Sequence, residues 1–168
     1  VQELPKGFEV DETGHTFLEN ASLKALAAAE FTGEWCLSDD SGLCVDALNG
    51  APGVQSSRYA SNDTKRVNRL LRELDGTEDR RASFFCAICV ASPEKKILLK
   101  VEGCCEGSIT HSPRGSGGFG YDPIFEVDLT GLTFAEMTTR QKRFWGHRGR
   151  AFADLDEQLT KTLAKLTN

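Results

Sequence analysis

The sequence predicts an α/β domain, on three observations. A helix-start signal opens an alanine-rich run near the N-terminus, two long apolar segments of strand type occupy the middle, and an amphipathic run closes the chain. Helical and extended patterns mix throughout, as in domains that layer helices on a sheet. The 168 residues suit one domain, since domains cluster around ~100–150 residues.

Each element has a local cause. Thr16-Phe17-Leu18-Glu19 forms a capping box, in which the threonine and glutamate side chains satisfy free N–H groups at a helix start. The run from Ala21 to Ala29 propagates that helix, and Gly33 is placed to stop it. Trp35 to Ser38 reads as a short buried strand and Leu43 to Leu48 as a second, with turn chemistry at Asn49-Gly50 and Pro52-Gly53. A helix follows from about Thr64 to Leu74, because Val67, Leu70, Leu71 and Leu74 share one face. Arg81 to Ala91 and Ile97 to Ile109 read as a hairpin joined near Pro93-Glu94-Lys95. Pro113 to Asp122 is a glycine-rich loop, and Thr138 to Phe144 a short helix. The last helix runs from about His147 to Leu166, with Phe152, Leu155, Leu159 and Leu163 as its core face. Trp35 and Trp145 are expected in packing roles, and His15 and His111 at the surface.

Charge removes some function classes. Twenty Lys plus Arg against twenty-five Asp plus Glu give a net charge of −5, whereas nucleic-acid binders carry a basic excess. The longest apolar-leaning run without a formal charge, Ala82 to Pro93, is shorter than the ~20 residues a bilayer span needs. No secretory or transit signal is visible. The expectation is a cytoplasmic protein without nucleic-acid or membrane partners. The six cysteines, Cys36, Cys44, Cys86, Cys89, Cys104 and Cys105, lie in apolar runs and read as free thiols. Cys86 and Cys89, three apart on a strand, point to opposite faces and cannot share one ion without a bulge.

Three segments carry chemistry. Ser38-Asp39-Asp40-Ser41-Gly42 places two carboxylates at the exit of a strand. Magnesium takes one or two carboxylates and leaves positions for water and phosphate oxygens, and a neighbouring carboxylate can accept a proton from water. The same residue types also make ordinary turns. Ser116-Gly117-Gly118-Phe119-Gly120-Tyr121-Asp122-Pro123 lets backbone approach a ligand closely beside stacking rings; the alternative is a loop whose aromatics are buried. Lys142, His147, Arg148 and Arg150 form a basic group, part of it at a helix start, where cations are locally unfavourable. Such a placement suits a ligand site, or else a solvated basic face.

Together these segments carry a resemblance. Ser38-Asp39-Asp40-Ser41-Gly42-Leu43, Gly50-Ala51-Pro52-Gly53, Ser57-Arg58-Tyr59-Ala60, Gly117 to Phe125 and Gly146-His147-Arg148-Gly149 occur in that order. The set resembles the blocks of the inosine triphosphate pyrophosphatase family, house-cleaning enzymes for non-canonical purine nucleotides. The resemblance implies an elongated mixed sheet with flanking helices, two lobes around an active-site cleft, and a homodimer. It implies magnesium-dependent hydrolysis of inosine, deoxyinosine or xanthosine triphosphate to the monophosphate and pyrophosphate.

Roles follow from the resemblance position by position. Asp40 matches the general base and a metal ligand, with Glu12 and Asp39 as further carboxylates near the metal. Lys24 matches a phosphate-binding lysine and Ser41 a substrate contact. Phe119 matches the ring that stacks on the base, within the binding stretch Phe119-Gly120-Tyr121-Asp122. Lys142, His147 and Arg148 match the set that reads the purine edge. Two departures stand out. The family's first strand and its Ser/Thr-x-Asn-x-x-Lys phosphate loop have no counterpart before Glu12, so the expectation is a single domain over residues 1–168 without them. That leaves a catalytically impaired nucleotide-binding member of the same fold as the alternative. Gly146 also stands where the family usually has serine.

Overall fold

The computed structural model describes residue 4 and residues 7–166, with side chains described through residue 161. The elements in chain order are α1 (Phe17–Thr32), β1 (Cys36–Val45), α2 (Asp63–Glu73), β2 (Arg81–Ala91), β3 (Ile97–Ile109), β4 (Phe125–Val127), α3 (Thr139–Trp145) and α4 (His147–Leu166), with short 3-10 turns at Asp46–Leu48, Gly53–Arg58 and Asp122–Ile124. The four strands form one sheet in the order β1-β2-β3-β4. β4 pairs antiparallel with β3, Gly107 opposite Val127 and Ile109 opposite Phe125. The chain divides into two compact units: residues 1–40, 86–102 and 151–168, and residues 41–85 and 103–150.

In the first unit, the alternation of side chains along β2 serves two cores. Ala87, Cys89 and Ala91 pack with Ala21, Ala25 and Ala29 of α1. Cys86, Ile88 and Val90 pack with Val101 of β3 and with Ala151 and Leu155 of α4. The alanines at i, i+4 and i+8 give α1 a small-residue face, which lets it lie close on the sheet. Cys86 and Cys89 fall in different cores, as their spacing requires, and all six thiols are free. Thr16 makes the capping box with Glu19, and Gly33 closes α1 in the left-handed conformation, φ 71°.

The second unit is built on Leu43, Val45, Val67, Leu70, Leu74, Phe84, Phe125 and Phe134. α2 buries Val67 and Leu70 and is capped by Asn62, whose side chain accepts the Lys65 N–H.

Three expectations are corrected. The stretch read as two strands flanking an acidic turn is one continuous ten-residue strand, so Ser38 to Gly42 lie within β1 and not at a strand exit. Pairing in the sheet overrides the turn preference of Asp, Ser and Gly, because strand propensity depends on context. Phe152 and Trp35 are 48% and 58% exposed. The core face of α4 is Ala151, Leu155 and Leu159, spaced at i, i+4 and i+8, which turns the neighbouring Phe152 out. Leu163 lies outside the described side chains.

Candidate active site

The predicted site residues fall into two groups, one in each unit. In the first unit, α1 presents Lys24 and β1 presents Asp40. The Lys24 Nζ donates to Glu12 Oε1 at 2.7 Å and to Asp40 Oδ1 at 3.0 Å. The other Asp40 oxygen, Oδ2, accepts from Asn20 Nδ2 at 3.3 Å. Asn20 is fully buried, and its Oδ1 accepts the Gly14 N–H at 2.8 Å. A Cβ on Gly14 would come within 2.7 Å of that Oδ1, so glycine is needed there for the amide to reach its place. Burial pulls the Lys24 ammonium down, but hydrogen bonds to Glu12 and Asp40, with their charges, outweigh it and hold its pKa above the ordinary value. Lys24 therefore stays charged.

This donor set suits a hard cation. Two carboxylate oxygens from separate segments already converge on one positive atom, and magnesium prefers one or two carboxylates with phosphate and water completing its shell. Among the described residues no three His, Cys, Asp or Glu side chains gather as a metal group. Asp39 is the neighbour of Asp40 on a strand, where consecutive side chains take opposite faces. The structure does not bring it together with Glu12 and Asp40.

The second unit holds a pocket of about 280 Å³, lined by Ser41, Phe119, Gly120, Tyr121, Asp122, Lys142, His147 and Arg148 among others. That volume is at the low end of small-molecule sites, ~300–1,000 Å³, and suits a planar ring system. The Phe119 ring is 68% exposed and so available for stacking. Asp122 Oδ2 accepts the Phe119 N–H at 2.9 Å and pairs with the Lys142 ammonium. The Lys142 Nζ lies 5.2 Å from the centroids of both Phe119 and Phe134. Gly118 holds φ 76°, and a Cβ there would sit 1.9 Å from Asp122 Oδ2. The glycine is what lets the loop fold onto this carboxylate. Tyr121 is buried, and its hydroxyl donates to the Ser56 carbonyl at 3.0 Å.

His147 is the first residue of α4, stacked on Phe84 with centroids 4.8 Å apart and planes 10° apart. Burial, then the nearby Arg148 and Lys142 charges, push its pKa down to about 3. The imidazole is therefore neutral at pH 7, and the expected clash of a second cation with the helix dipole does not arise. Its Nδ1 is buried without a hydrogen-bond partner. The unfolded imidazole binds a proton below about 6.5, the folded one only below about 3. Between those values acid favours the unfolded chain, so stability falls as pH falls. Denaturant unfolding at about pH 7 and about pH 4 is expected to show a smaller acid loss in His147→Asn than in the natural protein.

The structure adds residues that sequence reasoning missed. Ser56, Ser57, Phe84 and Arg66 also line the pocket, and Asp63 supports its loop by accepting the Gly120 N–H at 2.7 Å. Arg66 was masked by the charged face of α2, which looks like a solvated surface. Asn20 carried a detectable signal: a lone amide beside the alanine face of α1.

Comparison with known proteins adds four matches. The sequence profile of the Ham1 family matches residues 1–158. The chain is 62% identical over 165 residues to a dITP/XTP pyrophosphatase of Prochlorococcus marinus, covering 98% of this chain and 81% of that protein. It is 60% identical to a dITP/XTP pyrophosphatase of a Synechococcus species, covering 97% and 79%. Among solved structures, the Staphylococcus aureus Ham1 protein matches with a TM-score of 0.88 at 42% identity, covering 93% of this chain and 82% of that one.

Proposed function

The chain belongs to the Ham1 family, and from that premise we propose that it hydrolyses dITP, ITP and XTP to the monophosphate and pyrophosphate. The observation that carries the reading is the pocket of the second unit. It combines an exposed ring, Phe119, with a neutral buried imidazole and two cations, Lys142 and Arg148. The names of the relatives, dITP/XTP pyrophosphatases, point the same way.

In this reading Phe119 stacks on the base, and Lys142, His147 and Arg148 donate toward the oxygen at purine position 6. Ser41 and the Phe119 to Asp122 loop complete the substrate contacts. Adenine presents an amino donor at position 6, which leaves buried donors unpaired at a cost of ~1–3 kcal/mol each. Lys24 neutralises charge on the triphosphate, the main demand of phosphoryl chemistry. Glu12 and Asp40 would hold magnesium, which supplies further charge neutralisation when bound. Asp40 takes the proton of the water that attacks the α-phosphorus. The new P–O bond forms as the bond to the bridging oxygen breaks, and pyrophosphate leaves. A cytoplasmic homodimer belongs to the same reading, the compartment supported by the six free thiols.

Product analysis with magnesium tests the reading. Inosine and xanthosine triphosphates are expected to give monophosphate and pyrophosphate, with ATP slower by at least ~10-fold. No turnover would leave a nucleotide-binding protein, and orthophosphate release would mean a different phosphatase.

A further inference from the structure

The proposed reading of position 6 does not separate guanine from its non-canonical relatives. Guanine, hypoxanthine and xanthine all carry oxygen there. They differ at position 2, which bears an amino group in guanine, hydrogen in hypoxanthine and oxygen in xanthine. Discrimination therefore needs a group that meets position 2.

Arg66 has the chemistry for it. It lines the same pocket but comes from α2, whereas Lys142, His147 and Arg148 come from α3 and α4. A cation on a different element meets a different part of a ring held by the other three. Its Nη1 is paired with Asp63 Oδ1, and Asp63 Oδ2 accepts the N–H of Gly120, next to the Phe119 ring. The guanidinium is thereby tied to the loop that carries the stacking ring. Its Nε is buried and has no hydrogen-bond partner. A guanidinium has only donors. Among the lining residues the one carboxylate is Asp122, already engaged by Lys142 and the Phe119 N–H. Arg66 thus offers only donors to whatever faces it.

We propose that Arg66 is the specificity-determining residue for purine position 2. It donates to the xanthine oxygen, tolerates the hydrogen of hypoxanthine, and opposes the guanine amino group donor to donor. The proposal rests on the pyrophosphatase reading for its substrates, but its test does not depend on turnover.

The experiment compares natural protein, Arg66→Gln, Arg66→Lys and Asp63→Asn. The readouts are kcat/KM for the triphosphates of xanthosine, inosine and guanosine, calorimetric binding of the three monophosphates, and the thermal unfolding midpoint. Glutamine brings an acceptor that the guanine amino group can use. Arg66→Gln is expected to lower xanthosine relative to inosine by ~10-fold and to raise guanosine relative to inosine by a similar factor. Arg66→Lys, which keeps the donors and the charge, is expected to retain the natural order. Asp63→Asn, which loosens both the loop and the hold on Arg66, is expected to weaken all three and to narrow the xanthosine-to-guanosine ratio. Parallel loss of all three nucleotides in Arg66→Gln, or unchanged ratios, would overturn the proposal. If the natural protein turns over none of the triphosphates, the pyrophosphatase reading fails, while the ratios of monophosphate binding still decide the role of Arg66.

Discussion

Asp40→Asn is expected to cut pyrophosphate release by ~10²–10⁴-fold, the range associated with loss of a positioned proton acceptor, in a protein that still folds. The fold survives because Lys24 keeps its second partner, Glu12, at 2.7 Å. Some stability is lost. Lys24 Nζ and Asn20 Nδ2 both donate to Asp40, one to each oxygen, and an amide can satisfy only one of two donors placed that way. The mismatch costs ~1–3 kcal/mol, visible as a lower unfolding midpoint. The control is Asp39→Asn. Asp39 is on the other face of β1 by strand alternation, and its removal is expected to cost less than ~10-fold in rate. Saturating substrate and excess magnesium isolate the rate from binding. The reverse ranking of the two variants would move the catalytic assignment to Asp39.

Lys142→Met is the second large effect, and it acts on stability as well as binding. Asp122 has a side-chain exposure of 5% and Lys142 is its charge partner. Removing the ammonium leaves a buried carboxylate with the Phe119 N–H as its remaining hydrogen bond among those described. Breaking a buried pair in this way costs ~3–5 kcal/mol. The low end applies, because the Lys142 side chain is 28% exposed and water reaches one side of the pair. Adding Asp122→Asn is expected to return part of the loss, since the amide oxygen still accepts from Phe119 and no charge is buried. Denaturant unfolding of the four proteins closes the cycle. A Lys142→Met midpoint equal to that of the natural protein would show that the pair contributes nothing to the fold.

Much of the architecture was legible along the chain. The capping box at Thr16 and the left-handed Gly33 bound α1 because both are local hydrogen-bonding devices. β2 and β3 run over Arg81–Ala91 and Ile97–Ile109 as read, because long apolar segments between turn residues have few other ways to be buried. The opposed cysteines of β2 followed from a two-residue period alone. β4 and the continuity of β1 through Asp39-Asp40 did not, because both depend on hydrogen bonds to a distant strand.

Local pattern along the chain was enough for the helices, for β2 and β3, and for the motifs that carry the family resemblance, all of which rest on neighbours in the chain. Which groups meet, and in what charge state, was set by contacts between residues distant in the chain. The tertiary fold put Lys24 between Glu12 and Asp40, set the buried Asn20 behind them, and kept Asp39 apart. It made His147 neutral by burying it against Phe84, although in the sequence it reads as one member of a basic cluster. It also brought Arg66, 54 positions before Gly120 in the chain, to the Phe119 loop through Asp63. Burial and through-space pairing depend on residues far apart in the chain, and local pattern carries no record of them.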